Sequence, residues 1–271
     1  MKKIVSCLDK IGENMKLIFD IGMYDASDTE YYLSEGYKVI AVEANPNLIE
    51  RAETQFNEQV LSGQLVLVNR AICEDPGEEI TLTVCGSDLG SSSIFKERLE
   101  NSNSLDSYNI KGMTVVELIE KYGCPYFMKI DIEGADRYCI LPLDAGNRPR
   151  YISFEAGDDI EELVHHLRKI GFTRFKIINQ ANFIELNNQC SLIYRAKGRI
   201  TRLWGQGNPI FNENYPTYVK RNGRSFLLGH SAGPAPWISD GKWQDFNNLL
   251  SKWKSAASKN KLYGWYDVHV M

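Results

Sequence analysis

The sequence predicts an α/β protein built on a doubly wound, mostly parallel sheet. Three observations carry that expectation. From residue 16 onward, apolar runs of strand length alternate with helical patterns. The runs are apolar nearly throughout, as in strands buried on both faces. Several end in a carboxylate, where open α/β sheets bind their ligands.

The elements follow in order. Residues 16–21 (KLIFDI) read as a first strand. Residues 27–35 read as a helix with Ser27 as its cap, Glu30 completing a capping box and Gly36 ending it. Residues 37–44 (YKVIAVEA) are a second strand. Asn45 caps the next helix, and Pro46 stands in its first turn, where a missing N–H costs nothing. Residues 64–72 (QLVLVNRAI) are a third strand, so the crossovers suit a parallel sheet. Pro76-Gly77 makes a turn before an alternating strand in EEITLTVC, and GSDLGSSSIF reads as a Gly/Ser loop. Residues 114–122 form a helix with Thr114 and Glu117 as a second capping box. CPYFMKIDIEG (124–134) is a fourth strand and RPRYISFEA (148–156) a fifth, followed by a helix at 158–170 that Gly171 ends. FTRFKII, NFIEL and CSLIYRA read as antiparallel strands.

From about residue 197 the texture changes to Gly, Asn, Pro and aromatics, and all five tryptophans lie beyond that point. One amphipathic helix at about 243–257 is expected there, with loops around it. The expected division is a ligand-binding domain at 1–198 and a C-terminal cap or substrate-binding segment at 199–271.

Composition narrows the function. With 271 residues, 43% of them hydrophobic, the chain can bury a sizeable core. Its formal charge of −4 lacks the basic excess of a dedicated nucleic-acid binder. The six cysteines form no C-x-x-C pair, which points to a reduced, cytoplasmic protein. The N-terminus shows no secretory leader, and no apolar run reaches the ~18 residues of a membrane span.

Asp20, Glu43 and Asp131 each end a strand, and Glu155 is a fourth. An acid at the end of the second strand, Glu43 with Ala44 beside it, can accept from both hydroxyls of a ribose. Nicotinamide enzymes and S-adenosylmethionine (AdoMet) enzymes share that role, so the first turn must separate them. A nicotinamide site needs G-x-G-x-x-G against a pyrophosphate. Here the turn reads GMYDASDT; only Gly22 is present, and Asp25 and Asp28 would repel phosphate. AdoMet asks for an acid near its cationic amino-acid end and for close backbone approach, which Asp20 and Gly22 supply. The plainer readings are a strand-end cap for Asp20, an ordinary strand-end acid for Glu43, and a solvated helix entry for Asp25 and Asp28.

The run FDIGMYDASDTEYYLSEGYKVIAVEANP, with GSSSIF at 90–95, KIDIEGAD at 129–136 and ISFEA at 152–156, resembles the FkbM family of AdoMet-dependent methyltransferases. The likeness spans about residues 16–196. It implies a Rossmann-like class I methyltransferase fold with a seven-stranded sheet, AdoMet as cofactor, and O-methylation of sugars or polyketides. It implies adenine contacts at Asn69 to Ala71 and a contact at Ser92. The common family turn is D-x-G-A-N-x-G; Tyr24 replaces the Asn and Ala26 the Gly, as in a subgroup with D-I-G-M-x-x-x-S-D-T. Tyr24 stays in the expected cofactor set.

Methylating a hydroxyl calls for a general base. Asp131 and Glu133 are the candidates, as base and orienting group; two alternatives are divalent-cation ligands and caps for a helix starting near Gly134. Lys129, two residues before Asp131 on a strand, shares its face and can neutralise it. Two close acids would also raise one another's pKa. His230, in GHSAGPAPW, is an alternative base, with His269 behind it; His165 and His166 read as ordinary helix residues. Glu155 is a candidate for holding substrate. The tail interleaves Arg199, Arg202, Lys220, Arg221 and Arg224 with Trp204, Tyr215, Tyr218 and Phe226, a texture for a lid over a sugar. The same texture suits RNA, a structural cap or a homodimer interface. The reading is an AdoMet-dependent O-methyltransferase acting on a sugar or glycan-type hydroxyl, with no metal assigned. The alternatives are a nicotinamide-dependent oxidoreductase and a non-catalytic AdoMet-binding module.

Overall fold

The computed structural model describes residues 16–85, 88–93, 105–180, 182–186, 218–228, 230–258 and 265–271. The chain divides into two compact units, Met1–Phe172 and Thr173–Met271. The expected boundary at 198/199, the strand CSLIYRA, and Arg199, Arg202, Trp204 and Tyr215 lie outside the described residues.

The first unit opens with β1 (Leu17–Ile21), α1 (Ser27–Ser34), β2 (Lys38–Glu43), α2 (Pro46–Gln55), the short α3 (Asn57–Leu61) and β3 (Leu65–Asn69). It continues with β4 (Ala71–Ile72), β5 (Glu79–Cys85), β6 (Asp88–Ser93), β7 (Leu105–Met113) and α4 (Val115–Tyr122). It ends with β8 (Phe127–Ile130), α5 (Arg137–Ile140), β9 (Tyr151–Glu155) and α6 (Ile160–Lys169). Five of these strands form a parallel sheet in the order β3-β2-β1-β8-β9. Ile18, Phe19 and Ile21 of β1 and Val39, Ile40 and Ala41 of β2 are wholly buried, so the unbroken apolar runs do mark two covered faces. The chain order reverses between β1 and β8, the switch point at which such sheets open a crevice. There Asp20 pairs in register with Ala41 on one side and Lys129 on the other.

Two helix starts match their sequence signals. Asn45 Oδ1 accepts from Asn47 N–H at 3.0 Å to cap α2. Thr114 and Glu117 form the reciprocal capping box of α4, with Thr114 N–H donating to Glu117 Oε2 at 2.9 Å. The first helix differs. Its cap position is Ala26, left-handed at φ 66°, and no side chain caps it. Ser27 is already helical, and its N–H donates to Asp25 Oδ1 at 3.0 Å. The left-handed residues Tyr24 and Ala26 wind the chain into the helix one position earlier than the Ser-x-x-Glu pattern implies.

The third strand is broken at Arg70. β4 leaves the parallel sheet and pairs with β7 in a second sheet, β4-β7-β5-β6. The expected Gly/Ser loop holds the strand β6, antiparallel to β5. Ala71, Leu82, Val84 and Ile110 form this sheet's own small core, with Ala44 packed on it. Among the described cysteines, Cys73 and Cys139 are free and buried, but Cys124 is disulfide-bonded. That departs from the expectation of a fully reduced chain.

The second unit holds β10 (Phe175–Asn179), β11 (Ile184–Glu185), the hairpin strands β12 (Tyr218–Arg221) and β13 (Arg224–Leu227), α7 (Phe246–Ser258) and β14 (Tyr266–Val270). β10 pairs antiparallel with β11 and with β14. The amphipathic tail helix is present, but the tail also supplies three strands where loops were expected. Five parallel strands in one unit and this antiparallel trio in the other differ from the expected count of seven.

A polar network is sealed inside the second unit. Lys176, 1% exposed, donates from Nζ to Ser239 O at 2.9 Å and lies 4.4 Å over the Trp243 ring. Ser239 Oγ meets His269 Nδ1 at 3.0 Å. Burial first, and then the neighbouring Lys176, push His269 down to about 3, so the ring is neutral at any working pH. His269 thus docks β14 into the core and is not placed as a base. Burial lowers Lys176 to about 8, against the partial opposition of Glu185 and Asp240.

Two predictions follow from the backbone and from this network. A Cβ on Gly22, itself at φ 81°, would lie 1.8 Å from the carbonyl oxygen of Asp131. Gly22→Ala is expected to cost about 2–5 kcal/mol, read from denaturant midpoints, through overpacking and a left-handed penalty. For Lys176 the folded pKa is below the unfolded one, so the unfolded chain binds more protons between about pH 8 and 10.5. Stability of the second unit should therefore rise with pH across that window, and Lys176→Met should lose the rise, measured by Trp fluorescence in urea at both ends of it.

Candidate functional site

The site is built around one buried cation. Lys129 is the third residue of β8 and points to the face that β1 and α1 cover. It is 4% exposed. Its Nζ donates to Gly22 O at 2.8 Å and lies 3.4 Å from Asp20 Oδ1, 3.6 Å from Asp131 Oδ2 and 3.8 Å from Asp28 Oδ2. The expected neutralisation of Asp131 by Lys129 is present, but Asp131 is one of three carboxylates on the same ammonium. Asp28 is 2% exposed. The solvated helix entry expected for it is wrong, because α1 enters directly over Lys129.

Exposure grades across the cluster. Asp20 is completely buried; Thr29 Oγ1 donates to its Oδ2 at 2.6 Å. Burial pushes the Asp20 carboxyl up, while Lys129 and Thr29 pull it back in part. Its Oδ1, 3.4 Å from Lys129 Nζ, has no hydrogen-bond partner among the described residues. The Asp131 side chain, by contrast, is 41% exposed. It is the member of the cluster that reaches solvent.

Glu43, 7% exposed, closes β2. Its Oε2 accepts from Tyr24 N–H at 2.9 Å and its Oε1 from Asn45 N–H at 2.8 Å. An ionised carboxylate offers about four acceptor positions, so each oxygen keeps a lone pair for a ligand hydroxyl. Burial raises the Glu43 carboxyl, and the backbone N–H groups of Asn45 and Tyr24 partly offset it. Asn69 pairs with Glu43 in register, and its amide donates to the carbonyls of Glu43 and Ala44, each at 3.0 Å. Tyr24 and Asn69 thus hold the β2 end in shape. Ala71 sits in the small core that Ala44 packs against.

The backbone of Asp131 approaches Gly22 closely: a Cβ there would lie 1.8 Å from the Asp131 carbonyl oxygen. Ser92 lies on β6 opposite Val84. Glu133 is exposed, at φ 51°, and with Gly134 at φ 89° forms a left-handed turn after β8. Glu155 is half-buried at the end of β9. His166 Nε2 is 2.9 Å from Leu143 O, a structural contact. His230 belongs to the second unit, where its N–H donates to Leu227 O at 3.3 Å. Among the described residues no group of three or more His, Cys, Asp and Glu is placed to hold a metal ion.

Sequence reasoning missed Thr29, the depth of Asp28, and Asp136. Asp136 follows Glu133 by three residues and is 4% exposed. Burial and the nearby Asp131 charge lift it to about 7. Within KIDIEGAD it is this carboxyl whose raised pKa the structure accounts for.

One ammonium against three carboxylates, with Glu43 beside them, leaves the switch point strongly negative. That suits a cationic cofactor and opposes a pyrophosphate. The solved structures that resemble the chain include precorrin-6y C5,15-methyltransferase from Geobacter metallireducens (11% identity, 94% of this chain and 78% of that one, TM-score 0.38). They also include a SAM-dependent O-methyltransferase from Thermotoga maritima (8% identity, 94% and 58%, TM-score 0.36). A third is Haemonchus contortus phosphoethanolamine N-methyltransferase 2 in complex with S-adenosyl-L-methionine (11% identity, 96% and 49%, TM-score 0.35). No curated protein matches the sequence. The model of the methyltransferase FkbM domain matches residues 20–184, more than half of the chain and all of the cluster around Lys129. With that match the nicotinamide reading falls, and the chain belongs to the FkbM family of AdoMet-dependent methyltransferases.

Proposed function

We propose that the chain methylates a hydroxyl of a sugar or glycan-type acceptor. The observation that carries this reading is the half-exposed carboxylate of Asp131 at the end of β8, held by Lys129 at the mouth of the negative crevice. A hydroxyl is a weak nucleophile while protonated, and a positioned carboxylate can take its proton.

The residues present fit AdoMet. The buried carboxylates of Asp20 and Asp28 and the free lone pairs of Glu43 match a cation and a ribose respectively. AdoMet supplies a methyl group made electrophilic by a sulfonium. The chain's own part is then to bind, orient and receive a proton. Glu43 accepts the ribose hydroxyls while Tyr24 and Asn45 fix its plane. Asp20 and Asp28 hold Lys129, and Lys129 holds Asp131 in one orientation. Asp131 takes the proton of the acceptor hydroxyl, with Glu133 beside it as an exposed polar group. In the second unit, Tyr218, Lys220 and Arg224 stand exposed on the β12–β13 hairpin. Aromatic rings stack on sugars and cations hold phosphate or carboxylate, so this hairpin by itself has the chemistry of a carbohydrate-binding surface.

Two measurements test the proposal. Glu43→Gln should weaken AdoMet binding about 10–100-fold in calorimetric titration, the loss of a charge-assisted hydrogen bond, and should lower the denaturant midpoint, because the amide nitrogen cannot accept from one of the two backbone N–H groups that Glu43 holds. Transfer of labelled methyl to a panel of free sugars, nucleotide sugars, glycans, phenols and amines should label a sugar hydroxyl. Asp131→Asn should lower that turnover about 10²–10⁴-fold. Labelling of amines alone would overturn the acceptor assignment.

A further inference from the structure

Asp136 has no role in the chemistry described so far, and it is the carboxyl of the first unit hardest to explain as structure. It stands at the start of α5, yet its side chain makes no cap hydrogen bond. It is 4% exposed, and its Oδ1 is buried without a partner. A carboxylate with an orphaned oxygen away from water costs several kcal/mol, which folded proteins avoid unless the group has work to do. The charges that bear on it are both negative: Asp131 from the end of β8 and Asp159 from the entry to α6. The backbone N–H groups of Gly134 and of Asp136 itself are the groups that favour its ionised form. Gly134 belongs to the left-handed turn that follows Asp131. Asp136 is thus tied by backbone to the acidic loop and by charge to the one cluster member that reaches solvent.

The whole cluster is short of positive charge. Asp20 on β1, Asp28 on α1, Asp131 after β8 and Glu43 on β2 surround or adjoin a single Lys129. Something must hold a proton until a cation arrives. Asp20 Oδ1 also lacks a hydrogen bond, but Lys129 lies 3.4 Å from it and Thr29 donates to Oδ2, and Glu43 receives two backbone donors. Asp136 has the least compensation.

We propose that Asp136 is a positioning residue that holds a proton in the cofactor-free protein and releases it when AdoMet binds, so that cofactor affinity is linked to pH through this carboxyl. The inference rests on the AdoMet reading. An arriving sulfonium favours the ionised form of the carboxyls around Asp131, and by linkage the ionised site binds the cation more tightly. Asp136 titrates at about 7, inside the working range. After methyl transfer the sulfur is neutral, so the proton returns to the site and the spent cofactor is held less tightly at high pH than AdoMet is.

The test is calorimetric titration of the whole chain with AdoMet at pH 6.5, in buffers of different ionisation enthalpy. At that pH the cofactor's own α-amino group, near 7.7–8.0, stays almost fully protonated and adds little. The expected result is release of about half a proton or more per AdoMet, with Kd tightening about three- to tenfold from pH 6 to pH 7.5. Asp136→Asn keeps the size and an acceptor oxygen; it should bind AdoMet with neither release nor pH dependence over that range. Asp159→Asn removes a like charge and should move the pH midpoint of the linkage downward; it serves if Asp136→Asn does not fold. S-adenosylhomocysteine, lacking the sulfonium charge, should release less. AdoMet binding with no proton release in the parent chain overturns the inference, as does release that persists in folded Asp136→Asn. Failure to bind AdoMet at any pH overturns the cofactor reading instead, so the two failures are distinct.

Discussion

The buried ammonium of Lys129 is the constraint on which the first unit's site depends. A lysine sealed from water is tolerable only where its charge and its donors are met. Here they are met by Asp20 from β1, Asp28 from α1 and the carbonyl of Gly22 in the turn between them. These three points determine how the chain leaves β1 and where α1 begins. The turn from Gly22 to Ala26 is shaped around the cation, and so the acid at the end of β1 cannot be separated from the helix that follows. Removing Asp20 would take one of three carboxylates from the buried ammonium and leave the Thr29 hydroxyl without its acceptor. For this reason the acids that read as chemistry in the sequence are also scaffold.

The grading of exposure gives the cluster its division of labour. At one end Asp20 is fully buried, with Thr29 donating to one oxygen and Lys129 3.4 Å from the other; at the other the side chain of Asp131 is 41% exposed. In a low-dielectric pocket the inner charges act at a distance on whatever cation enters. The outer one can touch an acceptor. The same lysine spans both ends, so the position of the Asp131 carboxylate is inherited from the buried pairs. Glu43 repeats the pattern at the next strand. Its two backbone donors fix the carboxylate plane, so the group is preorganised.

What the sequence disclosed follows from what is local. The strands of the parallel sheet were legible because burial on both faces writes an unbroken apolar run. The Lys129–Asp131 relation was legible because side chains two apart on a strand share a face. Asn45 and Thr114 announced their helices through bonds made within three residues. Asp28 was misread because its surroundings are set by β8, about a hundred residues away in the chain. Ser27 was misread because the cap moved with a turn whose shape depends on Lys129. β14 was taken as loop because YDVHV carries Asp267 and His269. Both are buried, and His269 meets Ser239 while Asp267 accepts from Gln180, partners from other parts of the second unit. Asp136 was passed over because a third acid in one short motif looks like solvated surface until its burial is known.

The departures from the common family turn have a backbone meaning. The family pattern puts Asn and Gly where this chain has Tyr24 and Ala26, and both positions are left-handed, at φ 51° and 66°. Asn and Gly enter that region easily; Tyr and Ala pay about 1–2 kcal/mol each. The turn keeps its shape without them because other bonds over-determine it. Glu43 accepts the Tyr24 N–H, Ala26 N–H donates to Met23 O, and Lys129 holds Gly22 O. A third left-handed residue without glycine, Glu133, lies just past Asp131 on the other side of the same lysine. Strain of this kind persists where the surrounding structure fixes it, and it concentrates at sites of binding and chemistry. In this chain Glu43 accepts from the strained turn at Tyr24 and from Asn45, and Lys129 holds Gly22 O, so the end of β2 and the loop around the buried lysine share one hydrogen-bond network.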